Sequence, residues 1–145
     1  VVHRDIKPDN IILLENGKVK VADFGIARVI SASRTQTGVI LGTPSYMSPE
    51  QAAGVRVDGR SDLFSLGVVF YELLSGKKPF KGDSIANLMY AIANATYVPL
   101  PTVAPDGPQC CKKIVKQMLN KKPEKRAKSA DDVVKSIQQC LESLG

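Results

Sequence analysis

Side chains capable of proton transfer and metal binding are concentrated near the start of the chain. Asp5, Lys7 and Asn10 place a carboxylate, an amine and an amide close together, and a second carboxylate, Asp23, follows further on. Asn10 and Asp23 offer hard oxygen ligands, which suit Mg²⁺. Taken singly, Asp5 and Asp23 would be capping or turn residues. Their occurrence together with Lys7 and Asn10 favours catalysis.

The element that must position these groups is predicted by the next part of the sequence. Two short apolar runs, residues 11–14 and 18–22, flank Glu15-Asn16-Gly17, which predicts a β-hairpin with an Asn-Gly turn. Asn10 and Asp23 stand at the two ends of this hairpin, so we expect it to bring them together.

The rest of the chain predicts helices. Residues 61–74 are apolar on all sides and Gly76 follows them, which predicts a central helix that ends there. Further helices are predicted over residues 85–95 and 109–120, with a proline-rich connector over 99–108.

A long loop and a final helix complete the prediction. Residues 32–48 are rich in Ser, Thr, Gly and Pro without a sustained period, which predicts a loop of the length that is usually functional or mobile. The last helix begins at Ser129 with a capping-box-like start. Its predicted apolar stripe consists of Val133, Val134, Ile137, Leu141 and Leu144. No internal repeat or domain boundary is visible, so we expect one mostly helical unit.

Composition and charge exclude several classes of protein. The chain is 43% hydrophobic and 23% charged, which is ordinary for a soluble globular domain. No apolar run approaches the ~20 residues that span a bilayer, and no signal-like segment opens the chain. Much of the formal charge of +6 lies between Lys112 and Lys128. This stretch is either a solvated helical face or a nucleic-acid surface, and the lack of interleaved Phe and Tyr favours the solvated face.

The three cysteines are Cys110, Cys111 and Cys140. Their number is odd, and neither a Cys-x-x-Cys motif nor a Cys/His spacing is present, so neither a zinc site nor a disulfide is expected. Cys111 recurs with Ile114 and Val115 at helical spacing, which predicts a core residue. These observations favour a reducing, cytoplasmic compartment.

Five short motifs occur in a definite order along the chain. They are H-R-D-I-K-P-D-N at 3–10, D-F-G at 23–25, G-T-P-S-Y-M-S-P-E at 42–50, D-L-F-S-L-G at 62–67 and P-E-K-R at 123–126. Each resembles a motif of the protein kinase family and falls on the expected type of element. Two positions depart from the family pattern, with Ser48 in place of Ala and Phe64 in place of Trp. The sequence of residues 42–54 is most similar to that of bacterial members of the family.

The resemblance covers the chain from Val1 to about Leu144 and implies a fold. That fold is the large C-terminal lobe of a kinase: mainly α within an α+β family, with a small β-hairpin carrying the catalytic and D-F-G loops. Residues 1–145 would form only this portion, from the catalytic loop to the last helix. The Gly-rich loop and the strand lysine of the family's small lobe are absent.

Roles for the first group of residues also follow from the resemblance. Asp5 would be the base for the substrate hydroxyl, and Lys7 would contact the transferred phosphoryl group. Asn10 and Asp23 would hold Mg²⁺, and Ile12 would contact ATP. Lys7 and Thr43, a substrate-positioning residue, fit the pattern of kinases that phosphorylate Ser or Thr in proteins.

Regulatory and structural roles are implied for the other motif residues. Arg4 would bind a phosphate on the loop, with Thr35 and Thr37 as candidate sites, although both could be merely polar loop residues. His3, the only histidine, could act in acid–base chemistry, but the resemblance implies a structural role. The full structural set is His3, Phe24, Gly25, Glu50, Asp62 and Arg126, with the His3 ring near Phe24, its backbone held by Asp62, and an ion pair between Glu50 and Arg126.

Two functions from different classes remain at this point. The first is the catalytic lobe of an active serine/threonine kinase that uses ATP and Mg²⁺, with little turnover when isolated. The second is a pseudokinase or scaffold piece, and the presence of Asp5, Lys7, Asn10 and Asp23 favours the first. The missing lobe should leave an apolar face open near Val68, Val69 and Leu73 and cause self-association. Neither nucleic acid nor a membrane is an expected partner of this segment, which would be a cytoplasmic domain, either alone or within a membrane-anchored protein.

Overall fold

The computed structural model describes residues 1–22 and 44–145. In these parts of the chain the elements are β1 (Ile11–Leu13), β2 (Val19–Val21), α1 (Pro49–Ala52), α2 (Gly59–Ser75), α3 (Ile85–Asn94), α4 (Leu100–Val103), α5 (Gln109–Met118) and α6 (Ala130–Leu144), with 3-10 turns at Pro8–Asn10 and Pro123–Lys125. None of the described helices is both long and apolar enough to cross a bilayer. The predicted fold class, mainly α with one small hairpin, is confirmed.

The hairpin forms as the Asn-Gly turn predicts. Strands β1 and β2 pair antiparallel, with Ile11 opposite Val21. Gly17 has φ 77°, in the left-handed region that favours glycine. The Asn16 side chain accepts a hydrogen bond from the backbone N–H of Lys18 at 3.0 Å. Most side chains of the two strands are exposed, including 73% of Leu13, so the hairpin is not part of the core.

Helix α2 runs through the centre of the structure, as its apolar composition predicts. Asp58 caps its start, and Gly76, with φ 69°, ends it. Phe64, Val68 and Tyr71 face the core and are at most 2% exposed. The buried residues packed with them are Phe80, Leu88, Ile92, Leu100, Val115 and Leu119. Each such side chain contributes roughly 1.5–3 kcal/mol by its burial.

The apolar face expected to be open beside α2 is only partly exposed. Val68 and Val69 are 0% and 5% exposed, so the prediction that they lie on an open surface is wrong. Leu73, one turn further along α2, is 75% exposed. It lines an apolar groove together with Phe70 and Ile114.

The apolar stripe of α6 is narrower than predicted. Val133 and Cys140 are buried and Ile137 is half-buried, at the i, i+4 and i+7 positions of a single face. The other predicted members are exposed: Val134, Leu141 and Leu144. Val134 and Leu141 are exposed because they lie one residue beyond the buried face, whereas Leu144 lies on that face but is the exposed last residue of the helix.

Two short helices were missed by the sequence analysis. Helix α1 lies directly after the predicted loop, and α4 lies within the proline-rich connector. The start of α1 is a capping box, in which Ser48 Oγ accepts from Gln51 N–H and Gln51 Oε1 accepts from Ser48 N–H. The Ser-x-x-Gln spacing of this capping box is visible in the sequence.

The basic stretch is not one solvated face. Lys112 is buried and its ammonium group donates to the carbonyl of Pro105 at 2.7 Å. Lys121 lies 3.7 Å from the centre of the Phe80 ring, and burial lowers its pKa to about 8. Arg126 is also buried. The exposed lysines of this stretch are Lys113, Lys116, Lys122, Lys125 and Lys128.

The expectation that the cysteines form no disulfide is wrong. Cys110 at the start of α5 is bonded to Cys140 near the end of α6. The fold brings the two helix ends together, which sequence spacing could not reveal. Because a disulfide is present, the cysteines do not argue for a reducing compartment.

A substitution at Gly67 tests the close contact between α2 and α5. A Cβ at this position would lie 2.8 Å from Met118 Cβ and 3.3 Å from Leu119 Cδ2. We expect Gly67→Ala to reduce the free energy of unfolding by about 1–3 kcal/mol, because the two helices must move apart. Gly59→Ala is the matched control, since no atom lies within 4 Å of its Cβ position. Urea denaturation of both variants measures the difference, and equal stabilities would contradict the close packing.

Candidate active site

The loop that carries Asp5 is held by one carboxylate from α2. Asp62 accepts hydrogen bonds from the backbone N–H of His3 at 2.7 Å and of Arg4 at 2.8 Å. Asp62 lies in the first turn of α2, so the loop is anchored to the central helix. These charge-assisted bonds are stronger than those between neutral groups.

The backbone of Arg4 is strained and is held on both sides. Arg4 is the one non-glycine residue in the described ranges with a positive φ, 70°. A left-handed conformation costs a residue with a side chain roughly 1–2 kcal/mol. Asp62 binds the N–H of Arg4, and the side-chain amide of Gln51 donates to its carbonyl at 2.8 Å. The surrounding contacts therefore maintain a backbone shape that the loop would not adopt alone.

His3 is a structural link between the loop and the hairpin. Its side chain is buried, and its Nδ1 accepts a hydrogen bond from the N–H of Asp5 at 3.2 Å. Its Nε2 lies 2.7 Å from the carbonyl oxygen of Ala22, which can only accept. These two contacts assign the ring proton to Nε2. The expected contact with Phe24 lies outside the described residues.

Asp5, Lys7 and Asn10 lie together in this loop, with Asn10 buried and the other two half-buried. The Asn10 amide nitrogen donates to the carbonyl of Asp5 at 2.8 Å and to its carboxylate at 3.1 Å. Lys7 Nζ lies 3.6 Å from the same carboxylate oxygen, in a partly exposed ion pair that adds little stability. The contacts position one carboxylate between an amine and an amide.

The oxygen of the Asn10 side chain suits a hard cation. Because the amide nitrogen makes both hydrogen bonds to Asp5, the carbonyl oxygen Oδ1 is the atom that can coordinate a metal. An amide oxygen beside a carboxylate is a donor set of the kind that Mg²⁺ uses. The chemistry of Asn10 is compatible with a metal ligand, and this role stays a prediction. Its expected partner Asp23 lies outside the described residues.

Ile12 lies on β1 opposite Lys20 and is 46% exposed. An apolar side chain at this position can contact a flat ligand. The other predicted site residues, Gly25, Thr35, Thr37 and Thr43, lie outside the described ranges.

A second cluster lies at α1, around the ion pair between Glu50 and Arg126. Arg126 donates to Glu50 Oε1 at 2.6 Å and to Glu50 Oε2 at 3.0 Å, and both side chains are buried. Ser61 Oγ donates to Glu50 Oε1 at 2.6 Å. Burial alone would raise the pKa of Glu50, but the hydrogen bonds from Arg126 and Ser61 outweigh it and lower the pKa.

Every N–H of the Arg126 guanidinium has an acceptor. Besides the two bonds to Glu50, it donates to the carbonyls of Arg60, Asn120 and Lys121. Such full pairing is required of a buried charge. The ion pair expected from the motifs is therefore present, and it joins α1, α2 and the segment before α6.

Sequence reasoning missed two contacts near the site. One is the bond from Gln51 to Arg4, which links α1 to the Asp5 loop. The other is a hydrogen bond from the Tyr46 hydroxyl to Glu72 on α2. Burial and the Glu72 carboxylate raise the pKa of Tyr46. No spacing rule predicts either contact, because each joins segments distant in the sequence.

Comparisons with known sequences agree with the five motifs. The sequence model of the protein kinase domain matches residues 1–141. A probable serine/threonine-protein kinase of Streptomyces coelicolor is 45% identical over 98% of this chain and 22% of its own length. Serine/threonine-protein kinase PknL of Mycobacterium tuberculosis is 50% identical over 74% of this chain and 27% of its own. PknB of Mycobacterium leprae is 44% identical over 92% and 22%.

The chain therefore spans about a quarter of the length of these curated relatives. All three relatives are bacterial, as the sequence of residues 42–54 predicts.

Glu50→Gln tests the buried ion pair. The folded-state pKa of Glu50 is below its ordinary value of 4.5, so its ionised form stabilises the fold above that pH. This stabilisation is lost as the pH falls through the folded-state pKa. We expect Glu50→Gln to cost about 3–5 kcal/mol at pH 7, because Arg126 keeps a buried charge without its partner. The variant should also lose part of the pH dependence of stability below pH 4.5.

Denaturation from pH 7 to pH 3 measures both effects. Asp58→Asn is the matched control, because it weakens the exposed Asp58–Arg60 pair and keeps a side chain that caps α2. Equal losses in the two variants at pH 7 would contradict the importance of the buried pair.

Proposed function

The chain belongs to the protein kinase domain family, and on this premise we propose that its protein transfers the γ-phosphoryl group of ATP to Ser or Thr of other proteins. The observation that carries the proposal is the placement of Asp5, whose carboxylate contacts Asn10 and Lys7 and whose backbone N–H donates to the ring of His3. Phosphoryl transfer needs placed groups and neutralised charge more than covalent participation of the protein.

Each residue has a separate task in this mechanism. Asp5 accepts a hydrogen bond from the substrate hydroxyl and orients it toward the phosphorus. Lys7, whose amine lies beside Asp5, offsets charge on the transferred phosphoryl group. Asn10 Oδ1 and Asp23 are the proposed ligands of Mg²⁺, which neutralises phosphate charge when bound. Ile12 contacts the nucleotide, and Thr43 helps to position the substrate.

We assign residues 1–145 to the large-lobe part of the kinase domain. The chain contains no G-x-G-x-x-G segment, which is the element that covers the ATP phosphates in this family. Other residues of the protein must therefore supply that cover, and the chain alone should have little turnover. We propose a cytoplasmic location, because ATP is the phosphoryl donor.

Self-association of the isolated chain is a further part of this proposal. The support for it is the apolar groove beside α2, where Leu73 is 75% exposed. A second copy could cover this groove, since apolar surface is the usual feature of such contacts.

The alternative function is a pseudokinase or scaffold piece that only binds. The arrangement of Asp5, Lys7 and Asn10 favours catalysis, because a binding module has no need of an oriented carboxylate next to an amine. An activity measurement distinguishes the two.

Asp5→Asn is the decisive variant, made in the full-length protein. Asn cannot accept the hydroxyl proton, so we expect phosphate incorporation into a generic protein substrate to fall about 10²–10⁴-fold. Nucleotide affinity, measured by calorimetry, should change little because Asp5 faces the hydroxyl. Asp9→Asn is the control, since Asp9 lies in the same loop, is exposed and has no assigned role. Activity of Asp5→Asn equal to that of Asp9→Asn would support the scaffold function instead.

Arg4 carries the proposed regulation. Its side chain is exposed and its backbone is fixed, so a phosphate on Thr35 or Thr37 would gain a prepositioned partner. In the full-length protein we expect Arg4→Gln and Thr35→Ala/Thr37→Ala to lower activity similarly, and their combination to add nothing further.

Ser31→Ala/Ser33→Ala is the matched control in the same segment and should retain activity. Phosphopeptide mapping identifies the modified residue. Full activity in the double threonine variant would overturn the regulatory role while leaving the catalytic proposal intact.

A further inference from the structure

All three cysteines of the chain meet where the start of α5 contacts the end of α6. Their sulfur atoms lie within 4.8 Å of one another. Cys110 and Cys140 are bonded, with their Cα atoms 5.5 Å apart. The third sulfur, on Cys111, lies 3.5 Å from the sulfur of Cys140. Cys140 is therefore next to two possible partners, which are adjacent in the sequence.

We propose that this cluster is a thiol–disulfide exchange site in which Cys140 can pair with either Cys110 or Cys111. The Cys111 thiolate attacks Cys140 Sγ, so that a bond forms between these two sulfurs while the Cys110–Cys140 bond breaks. Its electron pair leaves on Cys110, and no net oxidation occurs. The contact of 3.5 Å is near the distance at which the attacking and attacked atoms must start.

The helix geometry favours the leaving group. Cys110 is the second residue of α5, where backbone N–H groups have no partner within the helix and stabilise a negative charge. The Ser143 hydroxyl lies 3.9 Å from the same sulfur. A thiolate on Cys110 therefore has a polar environment, whereas Cys140 is 4% exposed.

Exposure also indicates how the site is oxidised and reduced. Cys110 and Cys111 are partly exposed, so a small-molecule thiol or disulfide reaches them more readily than Cys140. A disulfide such as oxidised glutathione forms a mixed disulfide with one of them. Cys140 then displaces the second small thiol, and two protein thiols have supplied two electrons. Reduction by excess thiol reverses both steps.

A metal site is the competing use of three close thiols. A structural zinc ion takes four protein ligands, but the group found among the described residues supplies only three. Two of its sulfurs are already at bonding distance. The arrangement therefore favours thiol–disulfide exchange over metal binding, and the experiment below distinguishes the two.

The bond has a consequence for the ion pair at Glu50. Cys110 and Cys140 are 30 residues apart, and Arg126 lies between them. Closing this loop restricts the unfolded chain and fixes α6 on α5. Oxidation should therefore restrict the motion of the segment that carries Arg126.

The experiment compares wild type with Cys110→Ser, Cys111→Ser and Cys140→Ser in glutathione buffers of graded potential. Disulfides are trapped by acid and alkylation and mapped by mass spectrometry, and Tm is measured on the same samples. Oxidised wild type should melt roughly 5–10 °C above reduced wild type. Cys110→Ser should form Cys111–Cys140, and Cys111→Ser should form Cys110–Cys140. Both should keep a redox-dependent Tm.

Cys140→Ser should form no such bond, and its Tm should match reduced wild type at every potential. Mapping of wild type should detect both pairings, a result that does not depend on any variant folding. Absence of a Cys111–Cys140 bond in both wild type and Cys110→Ser would overturn the exchange. Retention of one zinc ion per reduced chain, with resistance to oxidation, would also overturn it in favour of a metal site.

Discussion

The buried ion pair between Glu50 and Arg126 is the interaction on which the arrangement of the helices depends. A guanidinium group in a protein interior is tolerated only if its charge and all its donors are matched. Here the acceptors come from α1, from the start of α2 and from the segment directly after α5. These segments are far apart in the sequence, so a single side chain determines where three parts of the chain meet. An apolar residue of similar size could fill the space but could not specify this meeting point.

Helix α1 also connects the buried ion pair to the Asp5 loop. Glu50 and Gln51 are neighbours on α1, yet one contacts Arg126 and the other the carbonyl of Arg4. Asp62, in the first turn of α2, holds the other side of Arg4. The strained conformation of this residue is thus maintained by elements that the ion pair itself brings together. Stability in the core and geometry at the candidate site are therefore linked through adjacent residues.

The sequence predicted the elements that depend on local patterns. The Asn-Gly turn, the apolar run of α2 and its terminal Gly76 are signals read within a few residues, and each element formed where expected. The burial of Lys112 could not be predicted, because its acceptor is a backbone carbonyl in a connector. The pairing of Cys110 with Cys140 depends on the crossing of two helices, which no spacing encodes. For the site, resemblance supplied the residues, while the contacts that position them came only from the structure.

The exposed hairpin has a thermodynamic consequence for ligand binding. A two-stranded sheet with solvated side chains is only marginally stable by itself, so its strands and turn keep conformational entropy although its two ends are hydrogen-bonded to the Asp5 loop. Asn10 precedes β1, and its carbonyl oxygen accepts a hydrogen bond from the N–H of Ala22 beyond β2, one residue before Asp23. A partner that covers Leu13 would order the hairpin and lower this conformational entropy. A cation that binds afterwards would then cause a smaller further loss of entropy in the protein. Two such events would be positively cooperative without any change in the average shape of the protein.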